Sequence, residues 1–298
     1  MSTAIEAPRG VDHIVLPVHG LKVARERLGV LGFTVAADAL HPFGTENACV
    51  FFSDKTYLEP LAVAGREACE EAARKGNVFV ARDRAFRFRV PDGEGLSGIA
   101  VASTDAAADH AIYTEHGLSA GEILHFSRPL RLPDGTEATA SFRLAFAADL
   151  RAPDFLLFSC ERANPLPADR AALERHGNGV TGVSAVVLTE ENPSDFQEVL
   201  ETVFHQREIE AHSFGLVVPS ANAKIEVLTP AGLTGYFGLD APNAGRGLMG
   251  AAIVFRTADI GVTERLLAAN GVRHARKDGR LIVPREAGQG AHFVFEEV

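Results

Sequence analysis

The chain has 298 residues, of which 46% are hydrophobic and 23% charged, and 39 acidic side chains against 29 basic ones give a formal net charge of −10. These values exclude wholesale disorder, and the acidic excess argues against the clustered Lys and Arg of a nucleic-acid surface. No apolar run approaches the ~20 residues of a membrane span, and residues 1–10 lack the basic start and apolar core of a secretory signal, so a cytoplasmic protein of about two domains is expected.

Taken in chain order, the predicted elements repeat. The run Ile14–Val18 is apolar and β-branched, as a strand requires. Apolar residues at helical spacing follow from Leu21 to Leu28, and Gly32 stops that helix. Strands are then expected at Phe33–Leu40, Ala48–Phe52 and Tyr57–Val63, giving a β-α-β-β-β unit. A second unit reads as strand Ile99–Ser103, helix Asp105–His116 and strands Glu122–Phe126, Ser141–Phe146 and Phe155–Cys160. A third has Val183–Leu188, a helix Pro193–Phe204, then Glu208–Phe214, Gly215–Val218 and Lys224–Leu228. The fourth has Ala251–Arg256, a helix Val262–Asn270, then Arg273–Lys277, Leu281–Pro284 and His292–Glu296. Each unit is preceded by a glycine motif: Gly10-Val11-Asp12-His13, Gly95-Leu96-Ser97-Gly98, Gly179-Val180-Thr181-Gly182 and Gly247-Leu248-Met249-Gly250.

Three segments interrupt the repeats. Residues 64–94 hold a helical patch, Arg66–Arg74, and a run from Arg82 to Arg89 that alternates charge with apolar residues, as an edge strand or a lid facing an anionic substrate would. Residues 161–178 read as a linker between an N-terminal half, 8–162, and a C-terminal half, 178–298. Residues 230–246, rich in Gly and Pro, read as a long loop, and Asp134-Gly135 as a hairpin turn. Cys49, Cys69 and Cys160 form no disulfide framework or CxxC knuckle, and no phosphate-binding or nucleophile-elbow motif stands in a supporting context.

Paired β-α-β-β-β units, with the runs Val11-Asp12-His13-Ile14-Val15-Leu16, His41-Pro42-Phe43-Gly44-Thr45-Glu46-Asn47, Tyr57-Leu58-Glu59-Pro60-Leu61 and His125-Phe126-Ser127-Arg128, resemble the vicinal oxygen chelate superfamily and, within it, the glyoxalase-like domain proteins. The resemblance implies an α+β fold in which four units pair into two cupped-sheet halves. It also implies a metal held between the first and last strands of a unit, which here are the positions of His13 and Glu59. The first-strand position is glycine in the other units (Gly98, Gly182, Gly250), and the last-strand position falls near Leu157, Glu226 and Val294. Only one half therefore carries the ligand pattern, and the C-terminal half reads as structural or dimer-forming.

Counted from each motif glycine, a histidine recurs at the second strand: His41, His125, His212 and His274. His41 or His125 is the expected third ligand or catalytic base beside His13 and Glu59, a set suited to Zn, Mn, Ni or Fe. Asn47, Arg128 and Arg143 are the expected substrate-binding residues, with a guanidinium clamping a carboxylate. The leading expectation is a metal-assisted enzyme moving a proton at carbon (isomerase or lyase type) on a small oxygenated substrate. A non-catalytic binding or sequestering protein on the same cup is the alternative. A ring-cleaving dioxygenase is disfavoured by Gly98.

Overall fold

The computed structural model describes residues 7–131, 136–164, 170–241 and 247–298. The Asp134-Gly135 turn and residues 242–246 of the expected long loop lie outside them. The fold is α+β, with two mixed sheets and seven helices among the described residues.

The first sheet is built from β1 (Val11–Pro17), β2 (Ala39–Leu40), β3 (Thr45–Asn47), β4 (Val50–Phe51), β5 (Tyr57–Val63), β6 (Gly98–Ser103), β7 (Leu124–Arg131), β8 (Glu137–Ala147) and β9 (Leu156–Arg162). Its order is β2-β3-β5-β1-β6-β9-β8-β7, with β4 also on β5. Units one and two thus join where β1 runs antiparallel to β6. The second sheet repeats this with β10 (Val180–Thr189), β11 (Glu210–His212), β12 (Gly215–Pro219), β13 (Lys224–Leu228), β14 (Met249–Thr257), β15 (Ala275–Lys277), β16 (Arg280–Val283) and β17 (His292–Glu297), in the order β11-β12-β13-β10-β14-β17-β16-β15.

Strand alternation sends one set of side chains to each side of a sheet. Ile14 and Leu16 of β1, Ile99 and Val101 of β6, and Phe255, Phe293 and Phe295 of the second sheet meet in one core shared by both halves. Helices α1 (Leu21–Val30), α4 (Ala106–Glu115), α5 (Gln197–Phe204) and α7 (Ile260–Ala269) bury Leu28, Tyr113, Val203 and Leu267 in that core. The motif glycines of the second half allow the close approach. A Cβ at Gly250 would stand 2.3 Å from Leu96, and one at Gly182 would stand 2.0 Å from the Asp54 carboxylate. Asp54 there accepts from Val183 N and Arg256.

The opposite faces are cups, each covered by an insert. Helices α2 (Arg66–Arg74) and α3 (Val78–Arg89) cover the first, and α6 (Pro230–Phe237) covers the second. Three expectations change here. The Arg82–Arg89 run is the end of a helix, not a strand. Its residues alternate, but Phe79, Asp83 and Phe86 lie on one helical face, and the Asn77 side chain caps the start by accepting from Val80 N. Arg87 fastens that helix to the sheet through Asp83, Val18 O and Leu61 O. Likewise residues 230–237 are helical rather than loop: Thr229 accepts from Gly232 N, Pro230 opens the first turn and Gly238 closes it in the left-handed conformation. Finally, the expected strand Phe33–Leu40 pairs only at Ala39–Leu40, because Arg25 takes the Val35 and Ala36 carbonyls that a ladder would have used.

Candidate functional site

The first cup collects its polar residues from β1, β3, β5 and β7. Between Val11 and His13 the β1–β6 register shifts, and Asp12 is the extra residue of this bulge. Asp12 and His13 therefore serve the same side, and both are 5% exposed. Asp12 Oδ2 lies 2.8 Å from His13 Nδ1, and Arg162 of β9 donates to both Asp12 oxygens at 2.7 and 3.0 Å. Tyr57 stacks on the His13 ring at 4.6 Å. With Nδ1 committed to Asp12, His13 Nε2 faces the Glu59 carboxylate at 3.4 Å.

His41 reaches the same carboxylate from the turn after β2, its Nε2 3.8 Å from Glu59 Oε1. Its Nδ1 is 2.9 Å from Thr45 Oγ1, so Nε2 is again the inward nitrogen. The Asn47 amide donates to Glu59 Oε1 at 2.6 Å and stands 3.4 Å from His41 Nε2. Arg128 of β7 donates to Asn47 Oδ1 at 3.2 Å. Phe43, Phe79, Phe126, Phe142 and Phe158 surround this group, leaving a cavity of about 30 Å³.

The charges follow from these contacts. Burial works against the Glu59 and Asp12 carboxylates. The facing His13 outweighs it in both, with His41 and Asn47 adding at Glu59 and Arg162 at Asp12, and each pKa is held down at about 2. Burial also works against the His13 cation, yet the two carboxylates beside it raise its pKa above the ordinary imidazole value. His41 goes the other way. Burial, then the positive charges of Arg128 and His13, bring it down to about 4 against the pull of Glu59, so it is a neutral imidazole at pH 7. Burial pushes the Cys160 thiol well up, with the Asp12 carboxylate adding to it.

The sequence-predicted residues divide. His13, Glu59, His41, Asn47 and Arg128 come together in this cup. His125 and Arg143 do not. They are opposite each other on β7 and β8, on the face away from the cup, where both are exposed and Arg143 pairs with Glu161 at 2.8 Å. His212 is exposed on β11 at the edge of the second sheet. His274 bonds to Val272 O beside β15. In unit two Gly98 stands opposite Leu156, so Phe158, not Leu157, is the residue that matches Glu59 and faces the cup. Asp12 and Arg162 were not singled out from sequence; Thr45 was, as a substrate-binding alternative to turn chemistry, and here it holds His41 Nδ1. The Asp-His pair inside the first motif was the available signal for Asp12.

His13 and Glu59 are spaced as two ligands of one divalent ion. Two ligand atoms each ~2.1 Å from one ion at a tetrahedral angle are ~3.4 Å apart, which is the His13–Glu59 separation. A carboxylate on the far nitrogen of a ligating histidine is the usual outer-shell arrangement, and Asp12 provides it. Asp12, His13 and Cys160 form a second group, with donor atoms within 4.8 Å of one another. Arg162 already engages both Asp12 oxygens, and an ion in that group would have to compete with it.

Fold and cup together define a vicinal oxygen chelate protein. A profile described as "Glyoxalase-like domain" matches residues 11–204, and the chain belongs to that family. No curated protein matches it significantly. Among solved structures, a hypothetical protein from Staphylococcus aureus superposes with a TM-score of 0.65 at 13% identity, covering 97% of this chain and 99% of that one. A mutant 4-hydroxymandelate synthase from Streptomyces coelicolor gives 0.62 at 15% identity, covering 98% and 93%. An Mn(II)-bound glyoxalase from Novosphingobium aromaticivorans gives 0.53 at 12% identity, covering 98% and 82%. At these identities the likeness is one of fold. Among the described residues no helix is long and apolar enough to cross a membrane.

Proposed function

We propose that the chain is a metal-assisted enzyme that moves a proton at carbon in a small oxygenated substrate, with the ion held by His13 Nε2, His41 Nε2 and Glu59. The observation that carries this reading is the convergence of two inward-facing nitrogens on one buried carboxylate, each imidazole fixed from behind, by Asp12 and by Thr45. Two histidines and one carboxylate suit Zn, Mn, Ni or Fe and leave positions open for a ligand. A cation held there would supply Lewis acidity to the substrate.

The chain's own residues do the rest. The Asn47 amide, which spans Glu59 and His41, would stand beside the ligands and position a substrate oxygen. Arg128, at the same amide, offers its remaining N–H groups to a substrate oxygen. The phenylalanine wall excludes water. The sequestering alternative draws on one observation: unit two contributes Gly98 and Phe158 where its own ligands would stand, so half of the expected donor set is missing.

The test is metal content by elemental mass spectrometry on tag-free protein. About one equivalent per chain is expected, lost in a His13→Ala/Glu59→Ala double variant. Wild-type protein that stays metal-free after reconstitution with Zn, Mn, Ni and Fe(II) would sink the reading in favour of a binding cup. A His41→Gln variant that keeps its metal but loses turnover would move His41 from ligand to proton acceptor.

A further inference from the structure

The first cup is closed. Its cavity of about 30 Å³ is the space of one or two waters, and His13, His41, Asn47 and Glu59 are each at most 5% exposed. A carbon compound enters only if a wall moves, and the walls differ in what that movement would break. From β3 round to β7, through β5, β1, β6, β9 and β8, each strand is laddered to the next. Above the cup, α3 is pinned by Arg87, which holds Val18 O and Leu61 O, and by Arg89, which holds Asp154 and Pro153 O.

The remaining wall is the seam where β3 and the turn before it meet β7. No ladder crosses it among the described residues. One hydrogen bond does, from Arg128 to Asn47 Oδ1 at 3.2 Å. Phe126 fills the rest, its ring 5.2 Å from Phe43 and 5.6 Å from His41. The two lips of the seam are unequally held. The turn from His41 to Gly44 is tied down by Ala64 N and Gly65 N, which both donate to Gly44 O, and by His41 N donating to Thr45 O. β7 is paired to β8 alone, and none of its residues from Leu124 to Pro129 is buried. The β8–β9 ladder stops where Phe142 meets Arg162. Beyond it, Ala163 and Asn164 hold only Thr139 and Ser141. An unpaired outer edge with few buried contacts marks an element that opens before the rest of the fold.

We infer that the β3–β7 seam is the entrance to the cup. β7 and the facing end of β8 swing away from β3 as the moving lip, carrying Phe126 and Arg128, and the Arg128–Asn47 hydrogen bond is the latch. Opening costs one hydrogen bond and one cluster of ring contacts, whereas any other wall costs a ladder or the arginine ties of α3. As the route of a substrate, the seam rests on the function proposed above. The opening itself does not.

The chain carries its own reporters. Cys160 lines the closed cavity, whereas Cys69 lies on α2, and each is 2% exposed. Opening the seam exposes Cys160 alone, lifting α2 and α3 exposes Cys69 as well, and global unfolding exposes both together with Cys49. The test is the rate at which methyl methanethiosulfonate labels each cysteine of the full chain, read by peptide mass spectrometry with a chelator present, so that the result does not depend on whether the cup binds an ion. In wild type, Cys160 is expected to react ahead of Cys69 and Cys49. Arg128→Met is expected to speed the labelling of Cys160 about fivefold, the value of one hydrogen bond, and to leave the other two unchanged. Loss of a nearby positive charge by itself disfavours a thiolate, so acceleration reports the opening. Phe126→Ala, which empties the seam without touching the latch, is expected to act in the same direction. Cys160 reacting only in step with Cys69 or Cys49, or at the wild-type rate in both variants, would overturn the inference.

Discussion

At His13 one imidazole answers to two carboxylates, and the two have different duties. Glu59 faces Nε2 across the distance that two ligands of one ion would keep, whereas Asp12 fixes Nδ1 and is itself fixed by Arg162. An Asp12→Asn variant keeps the shape but removes the charge and leaves Arg162 without its partner. Outer-shell changes of this kind cost 10–100-fold in metal affinity on the order-of-magnitude scale. The expected result is therefore metal binding weakened by about that factor, read by competition with a chromophoric chelator, while Cys160→Ala binds as wild type. If Cys160→Ala lost the metal instead, the ion would belong to the Asp12/His13/Cys160 group. His41 completes a different contrast. It is neutral because it is buried and faces Arg128, so it needs no deprotonation to act as a ligand or to accept a proton.

At the scale of elements, the sequence was readable where periodicity and burial agree. The strands Tyr57–Val63 and Lys224–Leu228 and the helix Arg66–Arg74 fall where the pattern puts them. It was misleading where a side chain replaces a ladder, as Arg25 does for residues 35 and 36, and where a charged run repeats with period two on a helix, as in α3. Of the candidate site, His13, Glu59, His41, Asn47 and Arg128 were legible because they sit in strands or turns whose faces alternation can assign. His125 and Arg143 were expected near the cup and lie on the other face, since the register of β7 cannot be read from spacing alone: shifting a strand by one residue exchanges its two sides. β17 gives a prediction that alternation could not. His292, at its start, accepts from Arg285 N, and burial together with the Arg285 charge brings its pKa down to about 4. In the unfolded chain it would titrate near 6.5, the ordinary value. Between these values the unfolded chain binds the additional proton, so stability is full above about pH 6.5 and declines as pH falls toward 4. A His292→Asn variant, which keeps an acceptor but cannot titrate, is expected to lose less stability between pH 7 and pH 5 in urea unfolding. Parallel pH profiles for the two proteins would refute the assignment.

At the scale of the whole molecule, the two halves face each other with their helices and core strands and turn their cups away. Phe33 meets Phe255, Phe293 and Phe295, Asp54 docks on Gly182, and Leu96 packs where a side chain at Gly250 would stand. Glu94 ties His19 N to Gly288 N across the boundary, and Arg285 holds Glu94 O. The family match runs past the end of the first sheet to residue 204, into α5, whose Val199, Leu200 and Val203 belong to the same core. The N-terminal half therefore has the site but only part of the core beneath it. Separated from residues 178–298, it would expose the face of Ile14, Leu16, Ile99 and Val101, all at most 1% exposed in the full chain. α1 and α4 stay on that face, but the loss of Phe255, Phe293 and Phe295 from the shared core, at ~25 cal/mol per Å² of apolar surface returned to water, removes stabilisation of several kcal/mol, a large part of what holds a domain folded. A fragment ending at residue 162 is thus expected to aggregate or to lack cooperative unfolding, while the full chain melts in a single calorimetric transition. Two separate transitions in the full chain, or a fragment that folds and binds metal, would show instead that the cup carries its own core and that the second half is an addition to it.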